Sequence, residues 1–146
     1  MRPGDAPVRT SPRDVLRTRQ IRSGSDLLAA RQAVRAAAVE AGFDLVGQTK
    51  VVTAASELVR NAYVYGGGGT MGITPIVAPS GRRGLRLDVS DHGPGIFDVE
   101  AALVDGFSTG AGPGHGLGGA RRLVDEFRID TAVGRGTTVT VVRWAP

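Results

Sequence analysis

The sequence predicts an α/β (α+β) fold, a two-layer α/β sandwich in which a mixed sheet carries its helices on one face. Between Lys50 and Tyr65, apolar residues recur every three or four positions, as on one face of a helix. Leu85, Leu87 and Val89 alternate with other residues, as in a half-buried strand. Strands expected early, in the middle and in a C-terminal pair alternate with three main helices, which favours one sheet with helices packed on it.

The first elements are an arm, an edge strand and a helix. Residues 1–12 are rich in Pro and lack periodicity, which is typical of a disordered arm, so we expect the domain over residues 13–146. An edge strand is expected within Arg13–Arg22. A helix follows, with Ser25 as N-cap and Gly42 as its stop. Its predicted buried positions are Leu28, Ala29, Val34, Ala37 and Ala38.

The central helix is expected to begin at Gly47 or Gln48 and to end at the glycine run Gly66–Gly69, which we interpret as a turn. Glu57 and Asn61 lie four positions apart, so they project from one flank of this helix beside its apolar face. On that flank they could face a cavity or solvent. The predicted buried positions are Val51, Ala55, Leu58, Val59 and Ala62.

The chain then continues through two strands, a short helix and a loop. The strands are expected at about Thr70–Ala78 and Gly84–Ser90, and the second delivers Asp91 at its end. A short helix is expected over Ile96–Val104. The segment Asp105–Gly119 is very rich in Gly, which indicates a mobile loop.

The C-terminal part is expected to contain one more helix and a hairpin. Helical spacing of apolar residues predicts a helix over Leu117–Phe127. Strands are expected over Phe127–Ala132 and Thr137–Trp144, with Gly134–Gly136 as the turn between them.

Composition excludes several classes of protein. The 146 residues contain no Cys, so disulfides, thiolate nucleophiles and Cys-ligated metals are absent. A net charge of +4 is compatible with nucleic-acid binding, but the Arg residues are scattered and aromatics are only 5%, so no nucleic-acid partner is expected. No apolar run reaches the ~20 residues of a membrane span, and the N-terminus lacks a secretory apolar region. We therefore expect no membrane association and a cytoplasmic location.

Two glycine-containing motifs indicate a nucleotide site. Asp91–Gly95 places a carboxylate at a strand end before Gly-x-Gly; the carboxylate can accept a hydrogen bond from an exocyclic amine, although this pattern is also a common turn. Gly106–Gly119 leads into a helix and offers backbone N–H groups and a helix dipole to phosphates. A Walker A loop is absent, and the G-x-G-x-x-G match lacks a preceding strand and a following acidic residue.

Four segments, in order, resemble the conserved boxes of the GHKL ATPase/kinase superfamily. They are Ser56–Asn61, Asp91–Gly95, Gly114–Gly118 and Gly134–Thr137. Within that superfamily the stretches SELVRNAYVY, DGFSTGAGPGHGLGGARRLVDEF and GRGTTVTVVRW are most similar to RsbT-type anti-sigma regulatory factors, the serine/threonine switch kinases of bacterial stress modules. The resemblance covers Val15–Trp144.

The resemblance implies the Bergerat fold, in which ATP and Mg²⁺ are held between the helices and the sheet under a glycine-rich lid. It implies that Asp91 binds the adenine amino group, that Gly93 and Gly95 shape the pocket wall, and that the Thr137 hydroxyl supports the adenine site.

The same resemblance implies roles for the two polar residues of the central helix. Asn61 would bind Mg²⁺, and Glu57 would be the general base for a substrate serine or threonine hydroxyl, roles that suit an amide oxygen and a carboxylate. The lid and its flank would contact the nucleotide through Gly110, Gly112, Gly114, His115, Gly116, Leu117 and Gly118.

The function implied is that of an ATP- and Mg²⁺-dependent serine/threonine kinase in a partner-switching module. Its substrates would be STAS-domain antagonist and scaffold proteins, and on release it would activate a PP2C-type phosphatase. The alternative is an anti-sigma factor that sequesters a sigma factor, with ATP mainly supporting affinity. An inert scaffold with a vestigial site is disfavoured because all four boxes are present.

Overall fold

The computed structural model describes residues 17–96, 98–103, 108–109, 112–113 and 117–146 of the chain. The strands of its main sheet are β1 (Arg17–Ile21), β2 (Gly69–Val77), β3 (Arg83–Asp91), β6 (Glu126–Ala132) and β7 (Gly136–Trp144). A two-stranded ladder consists of β4 (Ser108–Thr109) and β5 (Gly112–Pro113). The helices are α1 (Gly24–Glu40), α2 (Leu45–Val64), α3 (Val99–Leu103) and α4 (Leu117–Arg122).

The main sheet has the strand order β1-β2-β3-β7-β6, and every neighbouring pair in it is antiparallel. The two-layer α/β sandwich is confirmed, but the prediction of a mixed sheet is wrong. The physical reason is the path of the chain: β2–β3 and β6–β7 are hairpins, and the connection after β3 enters the sheet at its far edge. Strand β7 therefore returns beside β3 in the opposite direction, and no parallel crossover forms among the described strands.

The helices cover one face of the sheet. On β3 the alternating residues Leu85, Leu87 and Val89 are buried, as predicted, while Arg86 between them is exposed. Helices α1 and α2 pack on each other and on this apolar face, and the core lies between the two layers. In the described part of the chain, none of the helices is both long and apolar enough to cross a membrane.

Helix α2 confirms the predicted central helix and its apolar face. All five predicted positions are buried, and the helix ends at Val64, before the glycine run. Its start, however, is at Leu45 rather than at Gly47 or Gln48. Asp44 is the N-cap, because its Oδ1 accepts a hydrogen bond of 2.7 Å from the backbone N–H of Gly47.

The N-cap of helix α1 is Ser23, and the prediction of Ser25 is wrong. The Ser23 hydroxyl accepts a hydrogen bond of 3.3 Å from the Asp26 N–H, while Asp26 Oδ2 accepts one of 3.1 Å from the Ser23 N–H. This reciprocal capping box requires an acidic or amide side chain three positions after the cap, a condition that Ser23 fulfils with Asp26. Ser25 instead shares a hydroxyl–hydroxyl hydrogen bond of 2.9 Å with Ser23.

The capping carboxylate also accepts a hydrogen bond of 2.8 Å from the Arg22 N–H. Mainly because of this backbone hydrogen bond, the pKa of Asp26 is lowered from its ordinary value of 3.8. A carboxylate whose pKa is lower in the folded state stabilises the fold above its unfolded-state pKa, and this contribution is lost as the pH falls through the folded-state value. The capping box should therefore weaken only as the pH falls below the ordinary pKa of 3.8 for an aspartate.

The buried face of α1 is partly as predicted. Val34, Ala37 and Ala38 are buried, but Leu28 is 55% exposed and Ala29 is only half-buried. Ala30 occupies the core position that we had expected these two to fill. Gly42 confirms the stop, since its φ of 83° is in the left-handed region that ends a helix.

The short helices differ from their predicted bounds. Helix α3 begins three residues after Ile96, where Asp98 Oδ1 accepts a hydrogen bond of 3.0 Å from the Ala101 N–H. Helix α4 ends at Arg122 rather than at Phe127, because the Asp125 N–H already donates to the Val142 carbonyl at 2.8 Å and starts the pairing of β6 with β7. The apolar spacing that predicted a longer helix therefore continues by chance into a strand.

The remaining strand predictions agree with the structure. Strand β1 is an edge strand paired only with β2 among the described strands, and β6 and β7 form the predicted C-terminal hairpin. In the predicted loop Asp105–Gly119, strands β4 and β5 and the start of α4 are ordered elements. The rest of that loop, and the predicted arm over residues 1–12, lie outside the described residues.

The capping box leads to a stability prediction. Replacing Ser23 by Ala (Ser23→Ala) should lower the free energy of unfolding by about 1 kcal/mol, because the Asp26 N–H loses its acceptor. Urea denaturation followed by circular dichroism measures this change. Ser25→Ala is the matched control and should cost less. A larger loss for Ser25→Ala than for Ser23→Ala would contradict the assignment of the cap.

Candidate nucleotide-binding site

The candidate site lies at one end of the sheet, where a row of paired residues crosses four strands. Asp91 is opposite Gly69 on one side and Thr137 on the other, and Thr137 is in turn opposite Thr131. Directly opposed residues on neighbouring strands project to the same face of a sheet. Asp91, Thr137 and Thr131 therefore all project to the face that the helices cover.

A cleft that opens to solvent lies between this row and the C-terminal half of α2. Helix α2 contributes Asn61 and its neighbours, the sheet contributes Asp91 and Thr137, and helix α4 contributes Leu117. The cleft thus brings together residues from all three of these elements. Its lining residues are Leu58, Asn61, Ala62, Tyr65, Gly66, Val89, Asp91, Pro94, Gly95, Ile96, Leu117, Thr137 and Val139.

The loop after β3 is folded around the Asp91 carboxylate. Asp91 Oδ1 accepts a hydrogen bond of 2.9 Å from the Gly93 N–H, which fixes the carboxylate at the end of the strand. Gly95 lines the cleft with a φ of 79°, and a Cβ there would collide with the Ala132 carbonyl oxygen. The wall therefore requires glycine at this position. Gly93 does not itself line the cleft but forms the turn that holds Asp91.

Asn61 and Glu57 differ in their relation to the cleft. Asn61 lines it, and its side-chain Nδ2 is buried without a hydrogen-bond partner among the described residues. A buried polar atom without a partner costs free energy, so this amide is well suited to contact a bound polar group. Glu57 is half-buried one turn earlier on α2 and is not one of the lining residues. Of the predicted pair, Asn61 thus lines the cleft, whereas Glu57 does not, although its neighbour Leu58 does.

The lid residues are described only in part. Leu117 lines the cleft and is buried, and Gly118 follows it, also buried, in α4. Gly112 is in strand β5 of the small ladder. The other predicted lid residues, Gly110, Gly114, His115 and Gly116, lie outside the described residues.

Gly66 is a site residue that the sequence analysis missed, because we interpreted its glycine run as a turn. A Cβ on Gly66 would lie 2.5 Å from the Asp91 Cβ and would also collide with Cγ of the same side chain. The end of α2 can therefore approach the Asp91 carboxylate only if residue 66 has no side chain. A signal for this role is the position of Gly66 immediately after the helix that carries Asn61.

Thr131 is the second residue that was missed. Its hydroxyl oxygen lies 2.8 Å from that of Thr137, accepts a hydrogen bond of 3.0 Å from the Ile96 N–H, and donates one of 3.1 Å to the Gly136 carbonyl. Thr131 thus joins the hairpin turn to the cleft wall at Ile96. The register of the predicted hairpin, counted back from its glycine turn, is the signal that pairs Thr131 with Thr137.

These residues fit a purine nucleotide with a magnesium ion. Asp91 and the Thr137 hydroxyl offer hydrogen-bonding atoms next to apolar walls, which suits a flat base with a polar edge. The described residues contain no group of three or more His, Asp or Glu that could hold a metal ion. Magnesium at Asn61 would accordingly take most of its ligands from phosphates and water, as this ion commonly does.

The sequence matches a family model over residues 23–143, described as the histidine kinase-like ATPase domain. The chain belongs to this family. The prediction of a GHKL-type ATPase fold is thereby confirmed, whereas the finer domain bounds, 13–146, stay a prediction.

Within this family, the chain is similar to individual named proteins. The chain is 46% identical over 119 residues to the serine/threonine-protein kinase RsbT of Bacillus subtilis (strain 168), covering 82% of this chain and 89% of RsbT. The predicted enzyme class is the class of this relative. The chain is also 30% identical over 97 residues to the anti-sigma F factor of Thermoanaerobacter sp. (strain X514), covering 64% of this chain and 68% of that factor.

Among solved structures, the chain is similar to the crystal structure of the RsbU and RsbW domains of a Mycobacterium tuberculosis protein, with a TM-score of 0.62 and 25% identity. The alignment covers 89% of this chain and 32% of that one, so the chain spans about a third of this larger protein.

The approach of Gly66 to Asp91 leads to a second prediction. Gly66→Ala should lower the free energy of unfolding by roughly 1–3 kcal/mol, the usual cost of overpacking, because the new methyl group displaces the Asp91 side chain. Gly119→Ala in α4 is the matched control, since a Cβ there has no neighbour within 4 Å. Chemical denaturation of both variants tests this. Equal stability of Gly66→Ala and wild type would show that the approach is not tight.

Proposed function

We propose that this protein is a serine/threonine protein kinase that transfers a phosphoryl group from ATP to a protein substrate. The observation that carries the proposal is the cleft in which Asp91, Thr137 and Asn61 lie together, the Asn61 Nδ2 having no hydrogen-bond partner among the described residues. The 46% identity to a serine/threonine-protein kinase supports the same reaction.

In this proposal the cleft residues divide the nucleotide between them. Asp91 and Thr137 bind the purine edge, Val89, Ile96 and Val139 contact its faces, and Asn61 contributes an oxygen ligand to Mg²⁺. ATP supplies the transferable phosphoryl group, and Mg²⁺ would neutralise part of the negative charge on the phosphates. The lid residues Gly110, Gly112, Gly114, His115, Gly116, Leu117 and Gly118 keep their predicted role against the phosphates.

Glu57 is the proposed general base. It lies one helical turn before Asn61 on α2 and next to Leu58, which lines the cleft. In this proposal the hydroxyl of a protein substrate approaches the end of the nucleotide from the side of Glu57. Its carboxylate would accept the proton of the substrate hydroxyl as the oxygen attacks the γ-phosphorus, the bond to the bridging oxygen breaks and ADP leaves. No Lys, Arg or His is needed for this step, because the Glu57 carboxylate itself takes up the proton.

The finer assignment is a partner-switching module. We propose STAS-domain antagonist and scaffold proteins as substrates, and a PP2C-type phosphatase as the protein activated after release. ATP and Mg²⁺ are cytoplasmic ligands, so we propose a cytoplasmic location. The relationship to RsbT supports this assignment more than that to the anti-sigma factors does, since both its identity and its coverage are greater.

An anti-sigma factor is the second candidate. The relatives named anti-sigma F factor, and the solved structure with an RsbW domain, favour a protein that binds a sigma factor. In that case ATP would mainly support affinity for the partner, and Glu57 could be replaced without loss of binding.

The kinase proposal predicts the effect of one conservative substitution. Glu57→Gln should lower phosphate transfer from γ-labelled ATP to a STAS-domain protein by about 10²–10⁴-fold, because the amide cannot accept the proton. Glu126→Gln is the matched control; this carboxylate is exposed on β6 and should be dispensable. Transfer is measured by label incorporation, and nucleotide affinity is measured in parallel.

The outcomes of this assay distinguish a kinase from an anti-sigma factor and test the role of Glu57. Loss of transfer with retained ATP affinity supports Glu57 as the base. Transfer by both wild type and Glu57→Gln at equal rates would leave a kinase but remove Glu57 from this role. An absence of transfer by wild type, together with ATP-dependent binding of a sigma factor, would favour the anti-sigma factor.

A further inference from the structure

We propose that Thr131 is a positioning residue that orients the Thr137 hydroxyl, so that the cleft selects a purine carrying a 6-amino group over one carrying a 6-oxo group. This inference rests on the proposed nucleotide site and assigns a role to a residue that does not line the cleft. It follows from the hydrogen bonds at a single oxygen atom.

The Thr131 hydroxyl has three hydrogen-bond partners within 3.1 Å. A hydroxyl has one hydrogen to donate and two lone pairs that accept. The partner at 3.1 Å is the Gly136 carbonyl oxygen, which can only accept, so the Thr131 hydrogen points there. The partner at 3.0 Å is the Ile96 N–H, which can only donate, so it occupies one lone pair.

One lone pair of Thr131 is left for the contact with Thr137. The two hydroxyl oxygens are 2.8 Å apart, a normal hydrogen-bond length. With the Thr131 hydrogen assigned to the Gly136 carbonyl, Thr137 is the donor in this contact. The hydrogen of Thr137 therefore points away from the cleft and toward Thr131.

As a consequence, Thr137 and Asp91 offer only hydrogen-bond acceptors to the cleft. Thr137 lines the cleft and presents lone pairs to it, while the neighbouring Asp91 carboxylate is also an acceptor. Within the described residues, the single hydrogen bond to the Asp91 carboxylate comes from the Gly93 N–H and uses one lone pair of Oδ1. A 6-amino group can donate one hydrogen to each of these acceptors, whereas a 6-oxo purine can donate only from its N1–H and places its carbonyl oxygen against the other acceptor.

Removing the Thr131 oxygen should release the Thr137 hydrogen. In Thr131→Val, which keeps the shape of the side chain, Thr137 loses its acceptor and can turn its hydrogen into the cleft. The Thr137 hydroxyl then donates to a 6-oxo group, so an inosine nucleotide gains a hydrogen bond that it does not form with the wild type. One neutral hydrogen bond contributes about 1 kcal/mol.

The experiment compares the affinities for ATP and ITP, both with Mg²⁺, by calorimetry. We expect the ratio of ATP to ITP affinity to fall by roughly five- to tenfold in Thr131→Val, and to stay as in wild type in Thr131→Ser, which restores the hydroxyl. A purely structural role of Thr131 would weaken both nucleotides equally and leave the ratio unchanged. An unchanged ratio in Thr131→Val would therefore overturn the inference.

A double-mutant cycle tests whether Thr131 acts through Thr137. In a Thr137→Val background, Thr131→Val should leave the affinity ratio unaltered, because the hydroxyl to be oriented is gone. A further fall of the ratio in that background would contradict the proposed route. If a variant is too unstable for calorimetry, the shift in melting temperature caused by each nucleotide gives the same ratio.

The result also separates this inference from the proposed function. If wild type binds neither ATP nor ITP, the nucleotide site itself is wrong. If wild type prefers ATP and Thr131→Val keeps the same preference, the site stands and only the role of Thr131 is wrong.

Discussion

The close approach between the end of helix α2 and the end of strand β3 is the constraint on which the site depends. Gly66 touches the Asp91 side chain, and a Cβ on Gly93 would lie 2.6 Å from the Gly66 Cα. No side chain fits between these two backbone segments. Because they meet so closely, the amide of Asn61 and the carboxylate of Asp91 open into one cleft although they belong to different layers. Glycine at these two positions therefore does more than allow a turn: it lets the side chains of Asn61 and Asp91 reach the same cleft.

The antiparallel sheet supplies the other half of the arrangement. Its register places Asp91, Thr137 and Thr131 in one row, and the last two residues are joined by their hydroxyl groups. Thr131 also holds the backbone at Ile96, so the wall of the cleft and the polar edge of the sheet are connected through one oxygen atom. A kinase and a nucleotide-dependent binding protein could both use such a cleft. The presence of Glu57 does not by itself separate them; transfer of phosphate to a partner protein does.

The sequence predicted those features that local periodicity or a short motif determines. The buried face of α2, the alternation in β3 and the position of Asp91 at a strand end are of this kind. Strand direction was missed because it depends on where the long connection after β3 enters the sheet. The N-cap was misplaced because Ser23 and Ser25 both suit a cap, and only the spacing to Asp26 distinguishes them. Gly66 and Thr131 were missed because their roles arise from contacts between distant segments.

We propose that the Asp91 carboxylate recognises an adenine nucleotide, and calorimetric titration of ATP with Mg²⁺ into wild type and Asp91→Asn tests this most directly. The asparagine can still accept the hydrogen bond from the Gly93 N–H, so the turn is preserved. It replaces the other carboxylate oxygen by a donor, which cannot accept from an amine. We predict a loss of affinity of roughly 10–100-fold with an unchanged melting temperature of the nucleotide-free protein. Equal affinity of the two proteins for ATP would contradict the account.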